Sequence, residues 1–377
     1  MIRASFLRLD RYCSEQGYAG WDVFDGLNSR LLAGSPLFRS RLVRLAWIQL
    51  YKKSLLNLRR ITRVAPGLNA KGLGLFASGM IAQGCLRDAE VLLGRLKAMR
   101  SAGYAGSCWG YNFPWQAKAF YVPSGKPNAI VTIFAAQAFL DHYEKTGNRE
   151  SLGIAAESCD FLIDHLVLHE NHEDLCFGYI PGETARVHNV NMLAAALLGR
   201  VYRHDGRAAL LEKSRKAMAY SMAALDDALL WPYGELPHHR FVDNFHTGYN
   251  LVALHGWQNA TGESRWSEQL KLAYEKYLEV FWMPDGRPKY FHDRLYPIDI
   301  HCTAQGIITC VKLRQFGSRS IPNAVRIANW AIANMQDEAG YFYYQKTRWL
   351  TNRIPYMRWS QAWMFYALSL LLEHCPE

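Results

Sequence analysis

The stretch LHGWQNATGESRWSEQLKL, Leu254–Leu272, holds a helix, a glycine, a short polar turn and a second helix. Gly262 stands just past the first helical pattern. The backbone there commonly turns left-handed, a conformation glycine adopts without strain. Three other stretches share this grammar: FLDHYEKTGNRESLGIAAE (Phe139–Glu157), LGRVYRHDGRAALLEKSRK (Leu198–Lys216) and CVKLRQFGSRSIPNAVRIA (Cys310–Ala328). Their glycines, Gly147, Gly206, Gly262 and Gly317, are 59, 56 and 55 residues apart. The repeating unit is an αα-hairpin, and its near-constant period decides the fold.

The helix before each glycine is the more apolar and is rich in small residues, as in AIVTIFAAQAFL and NMLAAALLGRVY. The helix after it is charged, with one apolar stripe. Inner and outer helices therefore alternate. A further pair is read at Arg41–Thr62 and Leu75–Arg100, and a last inner helix at Tyr356–Glu373. That makes six inner helices, and the missing outer partner has to come from the N-terminal segment. The predicted fold is all-α: an (α/α)6 toroid, or six-hairpin barrel, with short β-hairpin loops on one rim. An open solenoid of hairpins is the alternative. The chain has no obvious polar capping repeat, which favours closure. Residues 1–70 are expected to pack onto or complete the toroid and residues 71–377 to form it, as a single domain.

Half of the 377 residues are hydrophobic (50%) and 13% are aromatic, which supports a sizeable core and argues against disorder. The net charge of +10 suits an anionic partner. No nucleic-acid motif accompanies it, which leaves a membrane surface or an acidic glycan, whether an acidic polysaccharide or a lipid-linked oligosaccharide, as the expected partner. The densest basic cluster runs from Arg39 to Arg63 and includes Lys52, Lys53, Arg59 and Arg60. It reads as a solvated helix face or as a place of peripheral membrane association. No apolar run is long enough to span a bilayer, and MIRASFLRLDRYC lacks the apolar centre of a signal peptide. Eight cysteines without a CxxC fit reduced thiols and a cytoplasmic location.

Between each outer helix and the next inner one lies a longer aromatic, polar segment, such as LLWPYGELPHHRFVDNFHTGYN or GRPKYFHDRLYPIDIHCTAQ. The repeat brings five such segments out on one rim. Their last residues then converge on the mouth of a central cavity, the usual place for a ligand. The candidates are His188, Asn189 and Asn191 in VHNVN, and Asp243, Asn244, His246 and Tyr249 in DNFHTGY. Asp299, His301 and Gln305 follow in IDIHCTAQ, and Tyr356, Arg358 and Trp359 in YMRWSQ. Trp109, Tyr111, Trp115, Gln116 and Tyr290 come from the rim segments themselves.

Each of these has a simpler reading. Asp or Asn at a helix start is a good N-cap, which applies to Asn128, Asn189 and Asp243. His246 and His301 also read as hydrogen-bonded, partly buried histidines. Coincidence across repeats carries the functional reading. No metal is expected, since HExxH and a suitably spaced Cys/His set are missing. His238 and His239 beside Glu235 form a loop cluster, but adjacent histidines rarely share one metal. Walker A, GxGxxG and GxSxG are also missing, and no cofactor is expected.

Four motifs in order, WGYNFPWQAKAFYVPSGKPN, VHNVNMLAAALLGRVY, DNFHTGYNLVAL and YPIDIHCTAQGIIT, resemble polysaccharide-biosynthesis proteins encoded in bacterial exopolysaccharide and O-antigen gene clusters. The resemblance covers about Gly110 to Cys375 and implies the six-hairpin toroid superfamily and a glycan context. Related toroids include glycoside hydrolases, unsaturated glucuronyl hydrolases, sugar epimerases and polysaccharide lyases. QDEAGYF, Gln336–Phe342, resembles one QxxxGxW repeat of squalene-type cyclases, but a single copy without DxDD argues against terpenoid cyclisation.

Three mechanisms follow. The leading one is glycoside hydrolysis of an acidic glycan, which needs two carboxyl groups flanking the bond. Asp243, Asp299, Glu235 and Glu183 are the candidates, with Trp109, Trp115, Tyr290 and Trp359 stacking on sugar rings. The second is β-elimination or C5 epimerisation of a uronic acid. There Asn189 or Asn244 neutralises the carboxylate, His246 or His301 is the base, Tyr249 the acid, and Arg358 binds the carboxylate. The third is a non-catalytic glycan-binding or assembly protein.

Overall fold

A computed structural model of the chain describes residues 1–31, 34–116 and 121–375. The AKAF portion of the first motif lies outside them. Helix α1 (Ile2–Glu15) is followed by α2 (Arg41–Lys53) and a single turn, α3 (Leu58–Ile61). The hairpins then run α4 (Ala70–Ala82) with α5 (Leu86–Ala98), α6 (Ala129–Thr146) with α7 (Arg149–Leu166), and α8 (His188–Asp205) with α9 (Ala208–Met222). They continue with α10 (Asn244–Thr261) and α11 (Ser267–Phe281), α12 (Ile300–Lys312) and α13 (Ser320–Met335), and end in α14 (Trp363–Leu372). The even-numbered helices from α4 to α14 are almost wholly buried, and each packs on the next. Helix α14 returns to α4 and closes the ring, while α1 packs against α13 and α14 in the sixth outer position. The fold is an (α/α)6 toroid.

Two readings of the sequence shift. Arg41–Thr62 is not an inner helix: α2 ends at Lys53 and lies over the rim. Leu75–Arg100 is not one helix but the second half of α4, a turn at Gly84 (φ 77°) and α5. The run AKGLGLFASGMIA supplies the first inner helix, with glycines where backbones touch. A Cβ on Gly74 would lie 2.7 Å from the Phe134 carbonyl oxygen of α6.

Local chemistry explains where the helices start and stop. Asn69, Asn128, Asp243 and Asp299 each accept backbone N–H bonds at the heads of α4, α6, α10 and α12. Such caps contribute about 1 kcal/mol each. Gly147, Gly206 and Gly262 end α6, α8 and α10 in the left-handed region, at φ 74°, 72° and 76°. Gly317 departs from the pattern. It is extended (φ −174°) after a 3-10 turn at Arg314–Phe316, so that hairpin turns without a left-handed residue.

The rim carries three small antiparallel sheets. These are β1 (Trp115–Gln116) with β2 (Tyr121–Val122), β3 (Val167–Glu170) with β4 (Leu175–Phe177), and β5 (Ile298–Asp299) with β6 (Gln345–Lys346) and β7 (Thr351–Asn352). A repeating stitch joins rim to ring. The first N–H groups of successive inner helices donate to the carbonyl of an aromatic residue in the next rim segment. The pairs are Ala129 to Tyr179, His188 to Tyr233, Asn244 to Tyr290, Ile300 to Tyr344 and Met357 to Trp21, at 2.9–3.1 Å. The stitch satisfies donors that a helix start leaves unpaired and fixes the aromatic backbone at the mouth. The sixth inner helix opens with a π-helical segment, Met357–Ala362, rather than an α-turn.

All eight cysteines are free, and six of them are buried. Among the described residues no helix is long and apolar enough to cross a membrane.

Candidate active site

A cavity of about 460 Å³ opens at the rim where the inner helices begin. Ten of the residues singled out in the sequence line it: Tyr111, Trp115, Gln116, Asn189, His246, Tyr249, Tyr290, His301, Arg358 and Trp359. The ring thus collects side chains from all its hairpins at one mouth. Tyr179, Tyr233, Phe245, His238 and His239 add to the wall, and α2 contributes Leu45, Gln49 and Lys52.

The other candidates stand elsewhere, each for a visible reason. Trp109 is buried, with its indole N–H donating to the Leu96 carbonyl. His188 turns to Ser221 (3.4 Å), and Asn191 bonds Phe177, Ala217 and Ser221. Asn244 accepts from the Tyr277 hydroxyl, and Tyr356 accepts from Arg59. Gln305 lines a separate basin at the opposite end of the ring. Glu235 sits at the surface with Tyr220 and Arg186, and Glu183 bonds backbone N–H groups of its own loop.

The carboxylates expected to act as a pair do not reach the cavity. Asp299 is fully buried, and its oxygens accept from the His301 N–H (2.9 Å), the Trp359 indole (3.0 Å) and Gln345 (2.7 Å). Burial pushes its carboxyl up to about 6, partly offset by those three donors. Asp243 stands behind His246. One oxygen caps α10 through the His246 N–H (3.0 Å), and the other accepts from His246 Nδ1 at 2.8 Å. Among the described residues no Asp or Glu lines the cavity.

What lines it instead is nitrogen, phenol and aromatic surface. Because the Asp243 carboxylate can only accept, Nδ1 of His246 carries a proton, and in the neutral imidazole Nε2 then carries the lone pair. His301 pairs through Nε2 with the Tyr249 hydroxyl at 2.5 Å. Burial, then the nearby Lys71 and Arg358, holds the His301 imidazole well below its ordinary range. Burial holds the Tyr249 phenol well above its own. The pair is therefore uncharged, and Nδ1 of His301 has no hydrogen-bond partner among the described residues. Both imidazoles pack on Phe245, with ring centroids at 4.1 Å for His246 and 4.7 Å for His301.

Of the cationic side of the cavity, Arg358 was expected from the sequence and Lys71 was not. Lys71, in the first turn of α4, is buried with its amine over Phe134 (4.4 Å), Trp363 (4.9 Å) and Tyr249 (5.7 Å). Burial, then Arg358, keeps that amine well below its ordinary range. Arg358 is clamped by Asp22 through Nε (2.6 Å) and Nη2 (2.7 Å), and its guanidinium lies over Tyr111 and Trp359. Two of its five donors are thereby used. The signal for the missed aromatics was present. Gly-Tyr, Pro-Tyr, Lys-Tyr and Tyr-Tyr at 178–179, 232–233, 289–290 and 343–344 recur once per repeat, with Gly-Trp at 20–21.

This set can remove a proton from carbon, stabilise the resulting negative charge and return a proton. Among the described residues no cluster suited to holding a metal ion is present.

No protein-family model matches the sequence, and no curated protein matches it. Solved structures do resemble the fold. A cellobiose 2-epimerase from Bacillus thermoamylovorans superposes with a TM-score of 0.64 at 12% identity, over 83% of this chain and 90% of that one. A sugar epimerase from a ruminal bacterium gives 0.60 at 11% identity, over 82% and 87%. A family 76 α-mannanase from Bacteroides thetaiotaomicron gives 0.59 at 12%, over 81% and 86%. At these identities the likeness establishes the architecture, the toroid that these epimerases and glycosidases share, and leaves the reaction to be argued from the cavity.

Proposed function

We propose that this chain is a carbohydrate-active enzyme that transfers protons at carbon, epimerising an anionic sugar. The observation that carries the reading is the cavity lining. It presents the Asp243-oriented His246, the uncharged Tyr249–His301 pair, Lys71 and Arg358, but no carboxylate among the described residues. Glycoside hydrolysis needs two carboxyl groups across the scissile bond; of the four expected to supply them, Asp243 and Asp299 cap helices behind the wall, and Glu235 and Glu183 stand in loops away from the cavity. That moves the reading from hydrolysis to proton transfer.

In this scheme Nε2 of His246 takes the proton from the carbon beside a carbonyl or carboxylate. The charge that develops on oxygen falls to Lys71 and Arg358. The Tyr249 hydroxyl, coupled to His301, returns a proton from a different side, which inverts the centre. Tyr111, Trp115, Tyr179 and Trp359 supply flat surfaces for the sugar ring. Likenesses to a cellobiose 2-epimerase and to a D-mannose isomerase support proton transfer on this scaffold. A surface-polysaccharide setting remains part of the proposal and rests on the sequence motifs.

The test is proton NMR in deuterated water with the host's own acidic polysaccharide and its component uronic acids. Deuterium entering one C–H position without chain cleavage is expected, and His246→Ala should slow it by roughly 10²- to 10⁴-fold. New reducing ends without deuterium at carbon would mean hydrolysis and overturn the reading. A new vinylic proton would replace epimerisation with elimination by the same base.

A further inference from the structure

The sequence has no acidic residue between Asp25 and Asp88, a span that holds eleven arginines and lysines. Helix α2 crosses this span and has three faces. Ile48 and Tyr51 are buried against the body, while Leu45, Gln49 and Lys52 look into the cavity. Leu42, Ala46 and Leu50, at i, i+4 and i+8, stand in solvent. The helix is followed by its C-cap, Ser54, whose carbonyl accepts from Asn352 Nδ2 at 2.9 Å. That bond fixes the β6–β7 hairpin beside α2, with Trp349 and Leu350 at its tip.

Six large apolar side chains of this region, Leu37, Leu42, Leu56, Ile61, Trp349 and Leu350, are each more than half exposed, and Trp349 is 79% exposed. Arg39, Arg41, Lys53, Arg60 and Arg348 lie among them in the sequence. The described ion pairs here, Arg59–Asp25 and Arg358–Asp22, are buried and leave those five cations to solvent. Single exposed leucines are ordinary on a protein surface. Several of them with a tryptophan, on acid-free segments interspersed with exposed cations that make no ion pair among the described residues, are what an interfacial surface requires.

We propose that this face docks on an anionic lipid bilayer. The apolar side chains enter the headgroup boundary, and the nearby cations are drawn to the anionic surface. Since α2 also walls the cavity, docking brings the mouth to the headgroup plane, where a glycan carried on a lipid would be presented. That last consequence rests on the cavity being the catalytic site, whereas the docking does not.

The test is co-sedimentation of the full chain with vesicles of phosphatidylcholine alone and of phosphatidylcholine mixed with phosphatidylglycerol. Binding to the anionic vesicles only, weakened by salt, is expected. A combined L42S, W349S and L350S variant should lose at least about tenfold in affinity, and so should R41E with K53E. These positions are exposed, so circular dichroism and Tm should stay unchanged. Absence of binding to anionic vesicles, or binding indifferent to the apolar variant, would overturn the proposal. So would a concentration-dependent dimer, seen by sedimentation velocity, that the same substitutions dissolve, because a second copy would then cover the face. Vesicle binding is measured without substrate, so its outcome is separate from that of the deuterium experiment.

Discussion

Asp243 and Asp299 head adjacent inner helices and both cap them, yet their second oxygens serve different ends. Asp243 spends its second oxygen on His246, whereas Asp299 spends its own on Gln345. This difference makes Asp243→Asn informative. The amide oxygen still caps α10, so Tm should change little. The amide nitrogen, if turned to Nδ1, donates instead of accepting and forces the other imidazole tautomer, so kcat should fall by roughly 10²- to 10⁴-fold. A fall in Tm that accounts for the lost activity would sink this assignment. Lys71 gives a second test with the opposite sign for stability. Its folded amine stays below the ordinary range near 10.5, so below that pH the unfolded chain binds a proton more readily, and stability is lost as pH falls. Lys71→Met keeps the packing on Phe134 and Trp363 without a charge to bury. At pH 7 it should stabilise the fold by about 1 kcal/mol in urea unfolding while weakening the binding of an anionic sugar. The gain should shrink towards pH 10.5. At this scale the sequence was partly legible. Capping residues mark helix starts, so the mouth could be located. Lys71 and Asp22 were missed because the rotation of a helix about its axis, and the chain that folds back over it, decide which side chains face the cavity.

The hairpins were legible because three of their glycines do a job that few other residues do. Gly206 and Gly262 hold φ near +72° and +76°, with no neighbour that a Cβ would strike. The backbone conformation alone therefore sets the cost of change. Gly262→Ala should destabilise by about 1 kcal/mol in urea unfolding. Gly317→Ala is the control: its backbone is extended and the nearest atom to a new Cβ, Ser320 Oγ, is 3.8 Å away. Its cost should lie within about 0.5 kcal/mol of zero. Equal losses at the two positions would refute the conformational explanation. The first hairpin was read out of register for a related reason. AKGLGLFASGMIAQG carries several glycines, and only Gly84 turns the chain; the others sit where helices touch. Spacing shows that a glycine is present and does not show which of these two uses it has.

Closure of the ring is the feature least visible in one dimension, because it joins the two ends of the chain. Ser5 of α1 bonds Gln336, and Phe6 packs on Phe365 with centroids 4.9 Å apart. Trp21 stitches to Met357, and Asp22 holds Arg358. No local pattern announces these contacts, although counting six inner and five outer helices pointed to the N-terminal segment. Closure has a thermodynamic consequence that separates a toroid from an open array. In an array each hairpin touches only its neighbours, and damage at one end melts that end first. In a ring every hairpin has two neighbours, and α1 couples the chain's start to its finish. Leu9 of α1 and Leu198 of α8, the inner helix three places round from α14, are both fully buried. Leu9→Ala and Leu198→Ala should each cost about 3 kcal/mol and lower Tm by about 4 °C in scanning calorimetry. Both should leave a single transition whose calorimetric and van't Hoff enthalpies agree. If Leu9→Ala instead splits off an early transition while Leu198→Ala does not, α1 is an appendage and the ring is held without it.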